Sequence, residues 1–166
     1  MAGIVSYASL QMGEKIGDGE CTRLVEAALV QAGKKTTRDF GVVGNTKDYV
    51  WGTPVTIHTA VPGDIIQFRN HIMSITTKKK DHDGSGVTVE NKRAHHTAII
   101  ANKGWRMDDY NREYFVFSII EQNHPARTRT VKSHVQFQKS DVTAANGDEI
   151  LTESTGEYWI YRPVAA

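Results

Sequence analysis

Apolar residues recur at three- and four-residue steps near the start of the chain, which is the period of an α-helix. The positions that share this period are Cys21, Leu24, Val25, Ala28, Leu29 and Ala32. Charged and amide side chains stand between them, so the pattern predicts an amphipathic helix over residues 19–32, which Gly33 ends. A weaker helical pattern covers residues 6–14.

After residue 62 the pattern changes to short runs rich in β-branched and aromatic residues, which are typical of strands. The runs lie at residues 65–68, 72–77, 87–90, 97–101, 114–120, 131–137 and 158–161. They follow one another without the helices that parallel strands need between them, so we expect about five or six antiparallel strands. Between residues 77 and 87 the chain is charged and contains Asp83-Gly84, which predicts a protruding hairpin. One helix followed by these strands predicts an α+β domain in which the helix packs on the sheet.

Composition agrees with a folded domain, since 39% of the 166 residues are hydrophobic and 23% are charged. That length predicts a single domain over residues 1–166. The net charge is only +1, so nucleic acid is not an expected partner. We find no apolar run long enough for a membrane span and no signal-peptide pattern at the N-terminus. The sequence leaves the compartment and the oligomeric state open.

The chain contains one cysteine, Cys21, so no disulfide or cysteine-rich zinc site can form within these 166 residues. Cys21 lies in the first turn of the predicted helix. The free N–H groups and the helix dipole at that end favour a thiolate, which is the nucleophilic form of the thiol. Gly17 and Gly19 lie just before it and allow a substrate backbone to approach closely. The alternative is that Cys21 is a small buried residue of the core.

A cysteine nucleophile needs a base, and the base needs an orienting group. His96 stands at the start of the run at 97–101, and Glu121 and Asn123 stand just after the run that ends at residue 120. If these strands are antiparallel neighbours, the start of one adjoins the end of the other, and His96 lies beside Glu121 or Asn123. Either side-chain oxygen would hold one ring nitrogen and leave the other facing the thiol.

Four segments of the chain form an ordered set of motifs. They are Gly19-Glu-Cys21-Thr-Arg-Leu-Val, Pro62-Gly63-Asp64-Ile-Ile-Gln-Phe, His96-Thr-Ala-Ile-Ile and Ile120-Glu121-Gln-Asn123. Together they resemble the motif set of the CHAP and NlpC/P60 superfamily of papain-like cysteine amidases and peptidases. The resemblance implies a papain-like α+β fold, with a helix that carries the nucleophile packed on an antiparallel sheet. By position it implies Cys21 as the nucleophile, His96 as the base, and Glu121 and Asn123 as orienting residues.

The activity that this resemblance implies is hydrolysis of an amide bond through a thioester on Cys21, without a cofactor. The implied substrate is a peptide, in many members of the superfamily a peptidoglycan peptide. The backbone N–H of Cys21 would be one oxyanion donor, and Tyr7 or Gln11 could supply another. An acyl transferase would use the same site. The alternative from another class is a catalytically inactive papain-like module that binds a partner.

Neither of two candidate metal sites has a complete set of ligands in suitable positions, so no metal is expected. The side chains of Cys21, His95, His96 and His124 have the ligand types of a zinc site. However, adjacent histidines at the start of a strand point to opposite faces. The segment at 81–86 is similar to the start of a calcium loop, but its twelfth position is Lys92 where a calcium loop has Glu.

The remaining histidines and one tryptophan complete the sequence-based expectations. Polar or turn contexts predict surface positions for four histidines, namely His58, His71, His82 and His134. Trp51 precedes the first predicted strand, where it either lines a substrate groove or fills the gap between helix and sheet.

Overall fold

The computed structural model describes residues 2–44, 47–79, 86–107, 113–124, 129–137, 142–143 and 147–166. Two α-helices come first, α1 (Ala2–Leu10) and α2 (Cys21–Gln31), followed by a short 3-10 helix at Thr37–Phe40. The strands are β1 (Thr53–Val55), β2 (Ile65–Lys78), β3 (Gly86–Met107), β4 (Glu113–Glu121), β5 (Val131–Phe137), β6 (Val142–Thr143) and β7 (Glu149–Arg162). None of the helices in these ranges is long and apolar enough to cross a membrane.

All strand pairs in the described ranges are antiparallel, in the order β1-β7-β2-β3-β4-β5, with β6 paired to β7. The prediction of an α+β fold with an antiparallel sheet is therefore confirmed. The predicted hairpin is formed by β2 and β3, which stay paired as far as Lys78 and Gly86. Its tip at 80–85, with His82 and most of the calcium-like segment, lies outside the described residues.

The two helices differ from their predicted bounds for identifiable reasons. The first helix is Ala2–Leu10 and not 6–14, because Ile4 and Ala8, one helical turn apart, are the residues that reach the core. The second starts at Cys21, since Gly19 has a φ of +93°, which no right-handed helix contains.

One face of the sheet is covered by the two helices. Most of the apolar stripe of α2 is fully buried there against α1 and against residues from the middle of the sheet. This core contains Ile4, Ala8, Leu24, Val25, Ala28, Leu29, Trp51, Ile65, Ile99, Ile120 and Tyr161. Trp51 is completely buried and its indole N–H donates to Oε1 of Gln67 at 3.3 Å. Of its two predicted roles, Trp51 therefore fills the gap between helix and sheet.

The opposite face of the sheet carries a second, more aromatic core, because neighbouring side chains on a strand point to opposite faces. Its residues include Ile66, Phe68, Ile100, Phe117, Ile119, Val135 and Phe137. The prediction that His71 lies on the surface is wrong, since only 1% of it is exposed. A register shift between Arg69 and Ile72, with Asn70 at a φ of +48°, turns the ring inward against Phe68, Phe137 and Tyr158.

Candidate active site

Cys21 is the first residue of α2 and lies at the edge of a cleft. The segment before it is shaped by left-handed glycines, with a φ of +61° at Gly17 and +93° at Gly19. The cleft has a volume of about 470 Å³. Its lining residues are Asp18, Glu20, Cys21, Thr22, Arg23, Tyr49 and His95. Cys21 is 8% exposed, so its thiol is nearly buried but borders this space.

The side chain of His96 contacts both Cys21 and Glu121. His96 lies in β3 and is 5% exposed. Its Nε2 atom is 2.9 Å from Oε2 of Glu121, at the end of β4. The thiol of Cys21 is close enough to the imidazole to raise the pKa of His96. Because Nε2 contacts Glu121, Nδ1 is the ring nitrogen that is left for an interaction with the thiol.

Glu121 is completely buried and is surrounded by hydrogen-bond donors. Arg93 donates from Nε to Oε2 at 3.2 Å and from Nη2 to Oε1 at 2.9 Å, and the hydroxyl of Ser133 also donates to Oε1. Burial alone would raise the pKa of Glu121, but the bonds from His96 and Arg93 lower it to about 2. The carboxylate is therefore ionised throughout the physiological pH range.

The pKa of His96 is raised above its usual value of 6.5 by its two partners. Burial of the ring would lower this pKa, but the interactions with Cys21 and with Glu121 outweigh that effect. The imidazolium form is thereby stabilised between a thiol and an ionised carboxylate. This is the electrostatic arrangement that a thiolate–imidazolium pair requires.

Asn123 contacts the segment before Cys21. Its Nδ2 atom donates to Oε2 of Glu20 at 3.2 Å. Asn123 has a φ of +64°, so the chain has left the extended conformation of β4 at this point. Of the two candidates for the partner of His96, Glu121 hydrogen-bonds the ring at 2.9 Å.

The sequence patterns did not single out Gln122, although it is fully buried beside Glu121. Its Oε1 accepts from the backbone N–H of Ile16 at 2.7 Å, and its Nε2 donates to the carbonyls of Ile16 and Glu20 at 3.1 and 2.9 Å. Gln122 therefore fixes the loop that leads into Cys21 to the end of β4. Its position between Glu121 and Asn123, two predicted site residues at a strand end, is the sequence signal that could have indicated a role for Gln122.

The far wall of the cleft is aromatic. The rings of Tyr49 and His95 lie 5.3 Å apart, and Nε2 of His95 contacts the carbonyl oxygen of Lys47 at 2.7 Å. Burial and the nearby charge of Cys21 both raise the pKa of Tyr49. Neither Tyr7 nor Gln11 is among the lining residues of the cleft in the described part of the chain.

The four candidate zinc ligands do not form one cluster. His124 lies close to His96, with ring centroids 5.2 Å apart, whereas His95 faces Tyr49 and Lys47. Over the residues that the structure describes, no group of three or more His, Cys, Asp and Glu side chains is placed to hold a metal ion.

Comparison with known proteins gives one result. A family model described as the AIM3/BBC1 Cysteine proteinase-fold domain matches residues 2–166. No curated protein and no solved structure matches the chain. The match supports the papain-like fold that the sequence motifs implied, but it does not support the narrower assignment to the CHAP and NlpC/P60 superfamily.

Proposed function

The chain belongs to the AIM3/BBC1 family of cysteine proteinase-fold domains, and we propose that it is a cysteine-dependent hydrolase of amide bonds. The observation that carries this proposal is the buried series Cys21, His96 and Glu121, in which His96 hydrogen-bonds Glu121 at 2.9 Å and interacts with the Cys21 thiol strongly enough to raise its own pKa. A nucleophile, a base and an orienting carboxylate in this order are the requirements of covalent catalysis by a thiol.

In the proposed reaction the Cys21 thiolate attacks the carbonyl carbon of the amide, and the C–N bond then breaks. His96, as imidazolium, gives its Nδ1 proton to the leaving amine, which departs and leaves a thioester on Cys21. A water molecule then loses a proton to His96 and attacks the thioester, which releases the carboxylic acid and restores the thiol. Glu121 stays ionised throughout and stabilises the imidazolium without taking its proton.

The oxyanion of the tetrahedral intermediate would lie at the start of α2. The backbone N–H of Cys21 is the proposed donor, because the first N–H groups of a helix have no partner within it and the helix dipole favours negative charge there. The cleft beside Cys21 would hold the residues on either side of the scissile bond.

The proposed substrate class is a peptide or isopeptide, with a peptidoglycan-type peptide as one candidate. If an amine and not water reaches the thioester, the same site would act as an acyl transferase. The whole of residues 1–166 is proposed to form the single domain that carries the site.

The first test uses the reactivity of the thiol, because Cys21 is the only cysteine and alkylation of the intact protein reports on it alone. We expect iodoacetamide to alkylate the wild type rapidly at about pH 6, where an ordinary thiol is protonated. We expect His96→Ala to slow this reaction by about tenfold or more. His134→Ala, which changes an exposed histidine on β5, is the matched control and should react as the wild type does.

The second test is turnover. Peptide mixtures and purified peptidoglycan are incubated with the wild type and with Cys21→Ala, and the products are identified by mass spectrometry. New amine and carboxyl ends that form only with the wild type would support a hydrolase. A thiol that is unreactive at about pH 6 and unaffected by His96→Ala would contradict the proposal and favour a binding module.

A further inference from the structure

We propose that Arg93 is a positioning residue of this site: its buried guanidinium binds both carboxylate oxygens of Glu121 and thereby aims Oε2 at His96. The inference rests on the proposed hydrolase function, which it deepens by one residue that no sequence motif indicated.

The contact between Arg93 and Glu121 is bidentate. Nε of Arg93 lies 3.2 Å from Oε2 of Glu121, and Nη2 lies 2.9 Å from Oε1. The planar fork of a guanidinium matches the plane of a carboxylate, so two such bonds fix the rotation of the carboxylate as well as its position. Oε2 is the same oxygen that contacts Nε2 of His96 at 2.9 Å. By fixing the plane of the Glu121 carboxylate, Arg93 thus fixes the position of Oε2, which is the acceptor for Nε2 of His96.

The guanidinium is itself fixed on its other sides. Its Nη1 donates to Oδ1 of Asn91, its Nη2 also donates to Oγ of Ser133 at 3.4 Å, and its central carbon lies 5.4 Å from the ring centroid of Phe68. Arg93 is 2% exposed, so water competes little for these contacts. Strands β2, β3 and β5 therefore hold the cation in one place.

The charge of Arg93 has a second consequence for the site. A buried carboxylate without a cation beside it tends to take up a proton, because burial disfavours its charged form. The hydrogen bonds from His96 and from Arg93 outweigh burial and hold the pKa of Glu121 at about 2. Loss of Arg93 would raise this pKa, and a protonated Glu121 no longer stabilises the imidazolium of His96. As the pH is lowered, Cys21 would then lose its reactivity at a higher pH than it does in the wild type.

A merely structural Arg93 leads to a different expectation. If the ion pair only joins β3 to β4, its removal lowers stability and leaves the pH dependence of the thiol unchanged. The two roles are therefore separated by a pH profile and not by stability.

The experiment compares the full wild-type chain with Arg93→Met and Arg93→Lys. The rate of Cys21 alkylation by iodoacetamide is measured from about pH 4 to about pH 9, and folding is checked by circular dichroism and urea unfolding. Methionine keeps the apolar stem of arginine without its charge, whereas lysine keeps the charge without the fork. Arg38→Met is the matched control, since Arg38 is 64% exposed and pairs with Glu26 at 3.5 Å, away from the imidazole.

We expect the acid limb of the profile to move up by about one pH unit or more in Arg93→Met, and the rate at neutral pH to fall by about fivefold or more. In Arg93→Lys the acid limb should move less, but the rate at neutral pH should still fall, because the bidentate contact is lost. Arg38→Met should match the wild type.

Unchanged profiles in folded Arg93→Met and Arg93→Lys would overturn the inference and leave the proposed function standing. If Arg93→Met does not fold, Arg93→Lys decides alone, since a wild-type rate and profile in that variant contradict a need for the fork. A wild type whose thiol lacks the reactivity of an ion pair would overturn both proposals.

Discussion

The side-chain amide of Gln122 binds the backbone of Ile16 on both sides, across 106 positions of the chain. Oε1 accepts from the N–H of Ile16 at 2.7 Å and Nε2 donates to its carbonyl at 3.1 Å. The same Nε2 donates to the carbonyl of Glu20, the residue before the nucleophile, at 2.9 Å. One buried amide therefore sets the distance between the start of α2 and the end of β4, and with it the distance between Cys21 and Glu121.

We predict that Gln122→Met lowers both stability and thiol reactivity. Methionine has a similar length but makes none of the hydrogen bonds of the Gln122 amide, so the free energy of unfolding should fall by about 1–3 kcal/mol. The loop before Cys21 would lose its fixed position, so the alkylation rate of the folded variant should also fall. Urea unfolding and iodoacetamide labelling measure the two effects. Gln31→Met, at an exposed position at the end of α2, is the control, and equal effects of the two substitutions would contradict the prediction.

We predict that the pKa of His96 lies above the usual value for histidine, whereas those of His71 and His124 lie below it. Contacts with Cys21 and Glu121 raise the pKa of His96 above 6.5, whereas burial and the charge of Arg93 lower the pKa values of His71 and His124. Between these values the protein would carry a charged His96 beside a neutral His124, with ring centroids 5.2 Å apart. Nuclear magnetic resonance titration of the ring protons, with each signal assigned by substitution of its histidine, measures this order. A midpoint for His96 below that of His124 would contradict the site described above.

Much of the fold followed from hydrophobic periodicity, and the departures have local causes. Antiparallel pairing was predicted correctly, but the runs at 65–68 and 72–77 are one strand, β2. A bulge with Asn70 in the left-handed region interrupts the apolar pattern there without ending the strand. The short strands β1 and β6 have too few residues to show a period of two.

Only part of the candidate site could be predicted, because here too local features of the structure depart from the sequence pattern. Alternation along a strand predicts Glu121 and Asn123 on one face, but the positive φ of Asn123 ends the extended conformation before that residue, which no pattern of polar residues reveals. Arg93 was missed because charged residues usually mark an exposed position, whereas here the cation is buried with its counterion. The catalytic roles of Cys21, His96, Glu121 and Asn123 remain predictions.

We predict that His71→Phe removes part of the sensitivity of the fold to acid. Neither ring nitrogen of His71 has a hydrogen-bond partner among the described residues, and the ring packs against Phe68, Phe137 and Tyr158. Its folded pKa lies below the usual 6.5, so the unfolded chain binds more protons at this residue. The titration of His71 therefore costs the fold nothing above pH 6.5, and it makes the fold progressively less stable as the pH falls from 6.5 toward the folded pKa.

Urea unfolding of the wild type and of His71→Phe at about pH 7 and about pH 5 tests this. The variant should be more stable by about 1 kcal/mol at the higher pH, because two unpartnered buried nitrogens are removed. Its loss of stability between the two pH values should be smaller than that of the wild type. His134→Phe, on the exposed side of β5, should keep the wild-type pH dependence. An identical pH dependence in His71→Phe would contradict the assignment of His71 as a buried neutral group.

We predict that Gly156→Ala disrupts the bulge that turns His71 inward, whereas Gly104→Ala does not disturb the sheet. Gly156 in β7 has a φ of +74°, and a Cβ there would overlap the carbonyl of Asn70 and lie 2.7 Å from the carbonyl oxygen of Arg69. The backbone would have to move, at a cost of about 1–3 kcal/mol.

Gly104 in β3 has no atom within 4 Å of the corresponding position, so alanine there should leave stability unchanged or raise it by about 0.5 kcal/mol. Because His71 pairs with Arg93 across β2 and β3 just beyond this bulge, Gly156→Ala should also slow the alkylation of Cys21. Equal unfolding midpoints for the two alanine variants would show that the close approach of β7 to Asn70 is not needed.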